Sequence, residues 1–258
     1  MAAQTPVETR VFRCLSDNIG VLVRDPATGA CAAIDVPDAA AVLKAAEEAG
    51  WRITDILVTH KHADHVQGIP EIVAATGARV VAPAKGPAIA GAAQTVAEGD
   101  TVTVGDLVAA VWETPGHCED HVTFHFAGAR LLFPGDVLFP MGCGRVFGEG
   151  YDDLWRALSR IAALPDDTVA HCGHDYTRAN ARFALAADPD NAALQARARE
   201  AEEKAAAGVL FGSTSVGEEK ATNPFVRATE PALARAVSLE GRPANEVFRA
   251  LREWKNRF

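Results

Sequence analysis

Four side chains able to bind a metal ion fall within six positions of one short segment, ILVTHKHADHVQG at residues 56–68. They are His60, His62, Asp64 and His65. Imidazole and carboxylate groups suit zinc or iron, and manganese is an alternative. Three imidazoles crowded together without a metal would be costly to bury and would repel one another when protonated. The segment therefore predicts a metal site, and bound metals can generate a nucleophile from water.

The spacing within this cluster favours two adjacent metals over one. His60 and His62 differ by two positions, so in extended backbone both imidazoles lie on the same side. Asp64 and His65 come where the chain turns into a helix, and they can point elsewhere. Two metals need more ligands than this segment supplies.

Further ligand candidates lie downstream, each at the end of a predicted strand. His117 follows WETPG, Asp136 follows LLFPG, and His174 follows VAHCG. Functional sites are commonly built where a rigid sheet continues into a loop. We expect the remaining histidines, His121, His125 and His171, to have ordinary hydrogen-bonding roles.

The elements that carry these residues alternate between short strands and a few helices. IGVLVRD, the turn PATGA and CAAIDV predict a hairpin. DAAAVLKAAEEAG predicts a helix with Asp38 as N-cap and Gly50 at its end. ITDILVT and RVVAP predict strands on either side of the helix IPEIVAATG. Residues 102–133 are almost all strand-like, YDDLWRALSRIAAL predicts a helix, and TVAHC predicts a strand.

The chain changes character near residues 174–178. The segment RANARFALAADPDNAALQARAREAEEKAAA predicts two helices broken at Asp188-Pro189, and GSTSVGEEKATNPF is typical of a polar loop. ANEVFRALREWKNRF predicts a terminal helix with one apolar stripe, Val247, Leu251, Trp254 and Phe258. We therefore expect an α+β domain at residues 1–175 and a smaller helical domain at residues 176–258.

The composition of the chain limits the classes of partner that the protein is expected to bind. A formal net charge of −9 argues against a nucleic-acid partner. No apolar run approaches the ~18–20 residues that span a bilayer, and MAAQTPVETR lacks the features of a secretory signal. The five scattered cysteines contain no CxxC pair, which favours reduced thiols. We expect a cytoplasmic monomer with no membrane partner.

THKHADH, TPGH, LLFPGD and CGH, in this order, resemble the motifs of the metallo-β-lactamase superfamily. The resemblance implies a four-layer αββα sandwich with a two-metal site between its sheets. It assigns one metal to His60, His62 and His117. It assigns the other to Asp64, His65 and His174, with Asp136 bridging both.

A narrower resemblance covers nearly the whole chain. MGCGRVF at 141–147, CGHDYT at 172–177, TNPFVR at 222–227 and the ending VFRALREWKNRF are similar to the hydroxyacylglutathione hydrolase (glyoxalase II) family. That family hydrolyses S-D-lactoylglutathione to D-lactate and glutathione, in methylglyoxal detoxification. The resemblance implies that the glutathione thioester is contacted by Arg145, Phe147, His174, Tyr176, Arg252 and Lys255.

Arg252 and Lys255 are i, i+3 neighbours on the terminal helix, so they could reach one ligand. Glutathione has two free carboxylates, which a guanidinium can bind with two hydrogen bonds and an ammonium can bind as a point charge. From spacing alone, an exposed, solvated helix face is the alternative. The resemblance favours the glutathione role.

The implied reaction is attack on the thioester carbonyl by a hydroxide shared between two divalent metals. Asp64 and Asp136 are the predicted catalytic residues, as metal ligands that also help to orient the nucleophile. The chain departs from the usual family pattern at Cys118 and Asp120, which replace Thr and Gly, and at Phe147, which lacks a hydroxyl. It also has FGEG where FEG is usual and Ile19 where an aromatic residue is common.

Several alternatives remain open at this point. One is a persulfide dioxygenase-like enzyme with a single iron. Another is a hydrolase of the same fold that acts on lactones, β-lactams or RNA. A third is a non-catalytic metal-binding protein, although structural zinc sites typically have only four ligands. A nucleophilic Cys118 or Cys143 would need an activating base, and the nearby histidines are assigned to metals.

Overall fold

Two groups of residues, each packed mainly within itself, make up the computed structural model, which describes residues 5–258. Among the described residues, the first unit contains the chain up to Glu113 together with Glu119–Gly135, and the second contains Thr114–Cys118 together with Asp136–Phe258. The first four residues, part of the segment assessed for a secretory signal, lie outside the described residues. The domain boundary at 175/176 divides the chain differently and stays a prediction.

The first unit contains a mixed six-stranded sheet whose strands follow chain order. The strands are β1 (Glu8–Cys14), β2 (Asn18–Arg24), β3 (Cys31–Ile34), β4 (Asp55–Leu57), β5 (Arg79–Pro83) and β6 (Ala92–Val96). Strands β1 to β3 are antiparallel, and β3 to β6 are parallel. The predicted β2–β3 hairpin is confirmed, and Gly29 in its turn has φ 80°, a conformation with no steric cost for glycine.

Helices connect β3 to β4 and β4 to β5. They are α1 (Ala39–Ala49), α2 (Ala63–Val66) and α3 (Ile69–Thr76). The predicted caps of α1 are confirmed: Asp38 Oδ1 accepts a hydrogen bond from the Ala41 amide over 3.1 Å, and Gly50 has φ 67°. An N-cap of this kind contributes about 1 kcal/mol. Val42, Ile72 and Ile56 belong to one buried cluster, so α1 and α3 pack against the sheet.

The same unit contains an antiparallel sheet of four strands in the order β7, β8, β9, β10. Their bounds are β7 (Thr101–Val104), β8 (Leu107–Glu113), β9 (Val122–Phe126) and β10 (Leu131–Gly135). A short 3₁₀ turn at Ala127–Ala129 joins β9 to β10. Phe126 pairs with Leu131, which confirms the predicted hairpin.

The second unit is mainly helical. Its helices are α4 (Tyr151–Ala162), α5 (Thr177–Ala187), α6 (Ala192–Ala206), α7 (Val216–Thr222), α8 (Pro231–Ala236) and α9 (Ala244–Arg257). It also contains a small hairpin, β11 (Leu138–Phe139) and β12 (Gly142–Cys143), and an antiparallel pair, β13 (Val169–Cys172) and β14 (Ser213–Ser215). The predicted break between two helices at Asp188-Pro189 is confirmed.

The prediction of a polar loop at residues 212–225 is wrong, because this segment forms β14 and α7. Ser215 Oγ accepts from the Glu218 amide over 3.2 Å, and Glu218 Oε2 accepts from the Ser215 amide over 2.7 Å. This capping box satisfies two amides at the start of α7. Glu219 is buried and forms an ion pair with buried Arg197 of α6 at 2.7 Å. A distant partner therefore orders a segment that is polar in sequence.

The apolar stripe of α9 differs in part from the prediction. Val247 and Leu251 are buried as expected, but Phe258 is 63% exposed beyond the last helical residue. Phe248 is fully buried instead, with its ring 5.7 Å from the Trp155 ring of α4. Within residues 5–258, no helix has the length and apolar character needed to cross a membrane.

Candidate functional site

The first unit brings the predicted donors His60 and His62 together just after β4 ends at Leu57. His60 Nε2 lies 2.9 Å from His62 Nδ1, and the two ring centroids are 4.6 Å apart. His60 is fully buried. Two ring nitrogens this close to each other can place their lone pairs on one cation.

Asp64 and His65 form a second donor pair on the short helix α2. Asp64 Oδ2 lies 3.8 Å from His65 Nε2, and His65 is 1% exposed. The Asn18 Nδ2 amide donates to Oδ2 of Asp64 and to its backbone carbonyl, both over 3.1 Å. Asp64 and His65 thus lie on the helical turn that follows His62, and the His60 and His65 ring centroids are 4.0 Å apart.

Asp35, which the sequence analysis did not identify, supports both pairs. It directly follows β3, with φ 57°, and is buried. Its Oδ2 lies 2.9 Å from His65 Nδ1 and accepts from Thr59 Oγ1 over 2.7 Å, while Oδ1 accepts from the Thr59 amide over 2.7 Å. Thr59 Oγ1 in turn lies 3.0 Å from His60 Nδ1. The sequence feature that could have identified Asp35 is an acidic residue directly after an apolar strand.

These contacts determine the ring nitrogens that can act as ligands. A carboxylate opposite Nδ1 keeps the proton on that nitrogen, so His65 presents the lone pair of Nε2. Asp35, His60 and His65 also lie close enough to hold a cation as a group. The carboxylate of Asp35 already accepts three hydrogen bonds, so we assign it an orienting role.

In the second unit, His117 and His174 both lie near one carboxylate oxygen of Asp136. Nε2 of each imidazole lies 3.5 Å from Asp136 Oδ2. His117 Nδ1 donates to the Arg145 carbonyl over 2.8 Å, so Nε2 is the ring nitrogen that could act as a ligand. One carboxylate between two imidazoles is the arrangement expected of a bridging ligand.

The donors in each unit fit divalent metal ions. All are imidazole nitrogens or carboxylate oxygens, a combination that binds zinc, iron or manganese. Nδ1 of both His65 and His117 is occupied by an oxygen acceptor, so the opposite nitrogen is oriented for coordination. These supporting contacts argue against the alternative that the histidines are ordinary core residues with no ligand to bind.

A cavity of about 420 Å³ lies beside Asp136 in the second unit. Its walls combine aromatic and cationic side chains with backbone of the β11–β12 hairpin and α5. The lining residues are His117, Asp136, Phe139, Cys143, Gly144, Arg145, Phe147, Tyr176, Ala179, Asn180, Arg252 and Lys255. Five of the six predicted substrate contacts therefore line it, and the sixth, His174, stacks on Tyr176.

Arg252 and Lys255 are packed into this cavity, so the exposed helix face considered above is wrong. Arg252 is 4% exposed, and its Nη1 donates to the Cys143 carbonyl over 2.8 Å. Lys255 Nζ donates to Asn180 Oδ1 over 2.5 Å. Burial is the main cause that lowers the pKa of Lys255 to about 8, and the nearby Arg252 charge is the second cause. Among residues 5–258, neither cation has a carboxylate partner.

Aromatic rings form one wall near the donors of the second unit. The Tyr176 ring is stacked on His174, with centroids 4.8 Å apart and an interplanar angle of 7°. Phe139 meets Tyr176 edge to face at 5.2 Å, and Phe147 meets His117 at 5.4 Å. Phe147 is 58% exposed. The rings restrict the orientations open to a bound molecule near Asp136.

Cys143 lines the cavity, but burial raises the pKa of its thiol, although the nearby Arg252 and Lys255 charges oppose that shift. A thiol with a raised pKa is a poor nucleophile. His171, which we expected to be an ordinary residue, is buried, and its Nδ1 lies 2.7 Å from Ser213 Oγ. Burial lowers the pKa of His171 to about 4.

Two family models match the chain. Residues 20–174 match the metallo-β-lactamase superfamily, and residues 175–258 match the C-terminus of hydroxyacylglutathione hydrolase. The predicted fold class is therefore confirmed as α+β, a metallo-β-lactamase fold followed by a C-terminal helical domain. Together with the histidine and aspartate clusters, the fold also supports the predicted pair of metal ions.

The chain is similar along its length to proteins named hydroxyacylglutathione hydrolase. The relative from Methylobacterium sp. (strain 4-46) is 63% identical, and the match covers 97% of this chain and 99% of the relative. The relative from Methylobacterium nodulans (strain LMG 21967 / CNCM I-2342 / ORS 2060) is 62% identical over the same shares. That from Rhodopseudomonas palustris (strain ATCC BAA-98 / CGA009) is 51% identical, again covering 97% and 99%.

Solved structures share the fold at lower identity. ETHE1 from Myxococcus xanthus has a TM-score of 0.69 and 27% identity, covering 95% of this chain and 90% of that one. A metallo-β-lactamase from Staphylococcus aureus subsp. aureus COL has a TM-score of 0.65 and 20% identity, covering 95% and 72%. The relatives at 51–63% identity are closer than either structure. The chain therefore belongs to the hydroxyacylglutathione hydrolase family of the metallo-β-lactamase superfamily.

Proposed function

We propose that the chain hydrolyses the thioester of S-(2-hydroxyacyl)glutathione, with S-D-lactoylglutathione as substrate and glutathione and D-lactate as products. The names of the full-length relatives support this reaction. The observation that carries the proposal is the cavity beside Asp136, which contains Arg252 and Lys255, two cations without a carboxylate partner among residues 5–258. A buried cation without a counter-ion is costly, and the carboxylates of glutathione would supply one.

We propose that seven side chains bind two divalent ions, zinc with iron or manganese as alternatives. One ion would be held by His60, His62 and His117, the other by Asp64, His65 and His174, and Asp136 would be shared. The 2.9 Å His60–His62 contact and the equal 3.5 Å distances to Asp136 Oδ2 support these groupings. When bound, a pair of such ions lowers the pKa of water and stabilises developing negative charge.

Asp64 and Asp136 are the proposed catalytic residues, because each directs a carboxylate oxygen at the ring nitrogens that would share its cation. Asn18 Nδ2 donates one hydrogen bond to the Asp64 carboxylate and one to the Asp64 backbone carbonyl, which favours this orientation of the carboxylate. The thiolate of glutathione is a good leaving group, and the reaction therefore needs no strong general acid.

The glutathione part would lie along the cationic side of the cavity. Arg252 and Lys255 would bind its carboxylates, and Arg145, exposed at the same cavity, would add a third positive charge. Tyr176, stacked on His174, and Phe147 would flank the acyl group and the thioester sulfur. Binding energy from these remote contacts would place the carbonyl for attack.

Residues 1–175 would form the catalytic domain and residues 176–258 the helical substrate-binding domain. We further propose a cytoplasmic monomer that acts on a small molecule and has no nucleic-acid or membrane partner. The net charge of −9 supports the first exclusion, because a polyanion would be repelled. The persulfide dioxygenase alternative has less support, since residues 175–258 match the hydroxyacylglutathione hydrolase C-terminus.

A spectrophotometric assay of S-D-lactoylglutathione hydrolysis tests the proposal. We expect turnover that a chelator abolishes and added zinc, iron or manganese restores, with about two metals per chain by elemental analysis. Turnover that is insensitive to the chelator, or full activity with one metal, would contradict it. Oxygen uptake with glutathione persulfide would support the dioxygenase alternative instead.

A further inference from the structure

Asn180, on α5, connects the β11–β12 hairpin to Lys255 through a single side-chain amide. Its Nδ2 donates to the Pro140 carbonyl over 3.1 Å, and its Oδ1 accepts from Lys255 Nζ over 2.5 Å. Asn180 is 2% exposed. In this orientation the amide N–H faces the Pro140 carbonyl and the amide oxygen faces the Lys255 ammonium. The opposite orientation would break both hydrogen bonds, so the two partners determine the orientation of the amide.

The Asn180 amide lies in close contact with the backbone of the hairpin. It packs directly on Gly142, where a Cβ would lie 2.3 Å from Asn180 Nδ2. The position opposite Asn180 therefore needs a residue without a side chain. Contact on one face and hydrogen bonds at both ends hold the amide in one place.

The hairpin is itself fixed from its other side. Asn223 Nδ2 donates to the Gly142 carbonyl over 2.8 Å and to the Phe139 carbonyl over 3.3 Å. Glu219 Oε2 accepts from the Met141 amide over 2.9 Å. Asn180 is thus attached to a turn whose backbone polar groups are satisfied by buried side chains, and such networks rigidify a structure.

Lys255 needs an anchor of this kind because its ammonium lies at the end of four flexible methylene groups. Besides Asn180, the Phe183 ring lies near Lys255, with its centroid 5.4 Å from Nζ. An ammonium has three N–H donors. With one of them on Asn180, the ammonium stays at the cavity and its other donors can reach a ligand.

We propose that Asn180 is a positioning residue that holds the Lys255 ammonium in place for a carboxylate of the substrate, and so determines affinity for glutathione thioesters. The inference rests on the proposed function. Asn180 acts through Lys255, so its removal should raise KM with little effect on kcat. The effect should depend on the presence of Lys255.

A double-mutant cycle tests this dependence. In the Lys255 background, N180A is expected to raise KM for S-D-lactoylglutathione about tenfold, with kcat changed less than about twofold. In the K255A background, the same substitution is expected to change KM less than about twofold. KM for the lactoyl thioester of N-acetylcysteamine, which has no carboxylate, should not change in either background.

N180D provides a second variant of nearly equal volume. Its carboxylate would pair with Lys255 and repel the substrate, so KM should rise more than in N180A. The control is N191A, which removes the N-cap of α6, whose side chain accepts from the Leu194 amide. It should lower thermal stability without changing the ratio of the two KM values.

Equal N180A effects in both backgrounds, or on both thioesters, would overturn the inference. So would an unchanged KM in N180D. If the unsubstituted protein does not hydrolyse S-D-lactoylglutathione, the proposed function fails. Calorimetric titration with glutathione alone then tests Asn180 separately: weaker binding in N180A that disappears in the K255A background supports the inference, and equal binding with and without Asn180 overturns it.

Discussion

His65 Nδ1 lies 2.9 Å from Asp35 Oδ2, a carboxylate oxygen that also accepts a hydrogen bond from Thr59. Both side chains of this pair are buried. The contact keeps the His65 proton on Nδ1 and makes Nε2 the proposed ligand atom. Supporting contacts of this kind typically change metal affinity or activity by about 10–100-fold when they are removed.

We predict that Asp35→Asn lowers metal affinity by about 10–100-fold. The amide keeps the size of the side chain, and asparagine tolerates the φ of 57° at this position. It would present a donor or a weaker acceptor to the ring, so the orientation of His65 would be lost. Competition with a coloured chelator measures the affinity, and elemental analysis measures the metal retained per chain.

The control for this substitution is Asp25→Asn. Asp25 is also buried, and it accepts from the amides of Ala27 and Asp106 and from Thr28 Oγ1 in a turn of the first unit. Its loss should reduce stability and leave metal affinity unchanged. Equal losses of metal in the two variants would show that Asp35 acts only through stability.

A second prediction concerns Arg252→Ala combined with Lys255→Ala. The double variant should raise KM for S-D-lactoylglutathione by about 100-fold or more, because two charge-assisted hydrogen bonds are lost at about 1.5–3 kcal/mol each. KM for the N-acetylcysteamine thioester should change little. Similar increases for both substrates would contradict the role of these residues in glutathione binding, and circular dichroism checks the fold.

The third prediction is a loss of affinity on the alkaline side of pH 8. Burial and Arg252 lower the pKa of Lys255 to about 8, while the neutral Cys143 thiol and the cation of Arg145 also face the cavity. The ammonium that binds a carboxylate is therefore present below pH 8 and is lost above it. KM for the glutathione thioester should rise with pH through this range.

Lys255→Arg separates this titration from others in the cavity, because guanidinium stays charged throughout. The variant should show a flatter KM profile above pH 8, whatever its absolute KM. The N-acetylcysteamine thioester should show no rise in either protein. A rise that persists in Lys255→Arg would assign the titration to another group.

The proposed metal donors are the part of the candidate site that sequence reasoning identified most completely. Their chemistry is readable from residue type, and the two-residue spacing of His60 and His62 leads to the observed 2.9 Å contact. The donors after strands, such as His117 and Asp136, follow from the rule that strand ends carry functional groups. The main alternation of strands and helices is equally local, and it too was predicted.

What could not be predicted depends on partners that are distant in sequence. Asp35 and Asn180 matter because of His65 and Lys255, at separations of 30 and 75 residues. The polar segment that forms α7 is ordered by the buried ion pair of Glu219 with Arg197. Short elements such as β6 (Ala92–Val96), the β11–β12 hairpin and α8 (Pro231–Ala236) have too few residues to show a clear periodicity.

The last prediction concerns Gly144, which follows β12 and lines the cavity. A Cβ at this position would lie 2.0 Å from the backbone carbonyl oxygen of Asp136 and 3.2 Å from His117 Nδ1. The nearer atom belongs to the backbone, so it cannot rotate away as a flexible side chain can. Gly144→Ala should therefore displace Asp136 or the Arg145 carbonyl that accepts from His117. We expect a loss of bound metal and a fall in kcat of about tenfold or more, together with overpacking that costs about 1–3 kcal/mol of stability.

Gly217→Ala is the matched control, because Gly217 lies within α7, where its Cβ would meet Asp166 atoms at 3.0 Å or more. Alanine favours a helix over glycine by up to about 1 kcal/mol, and this variant should keep its metal and its activity. Metal content by elemental analysis, kcat at saturating substrate and thermal denaturation should be measured for both variants. Full metal content and unchanged kcat in Gly144→Ala would contradict the prediction, because they would mean that the backbone around Asp136 can yield without disturbing the ligands.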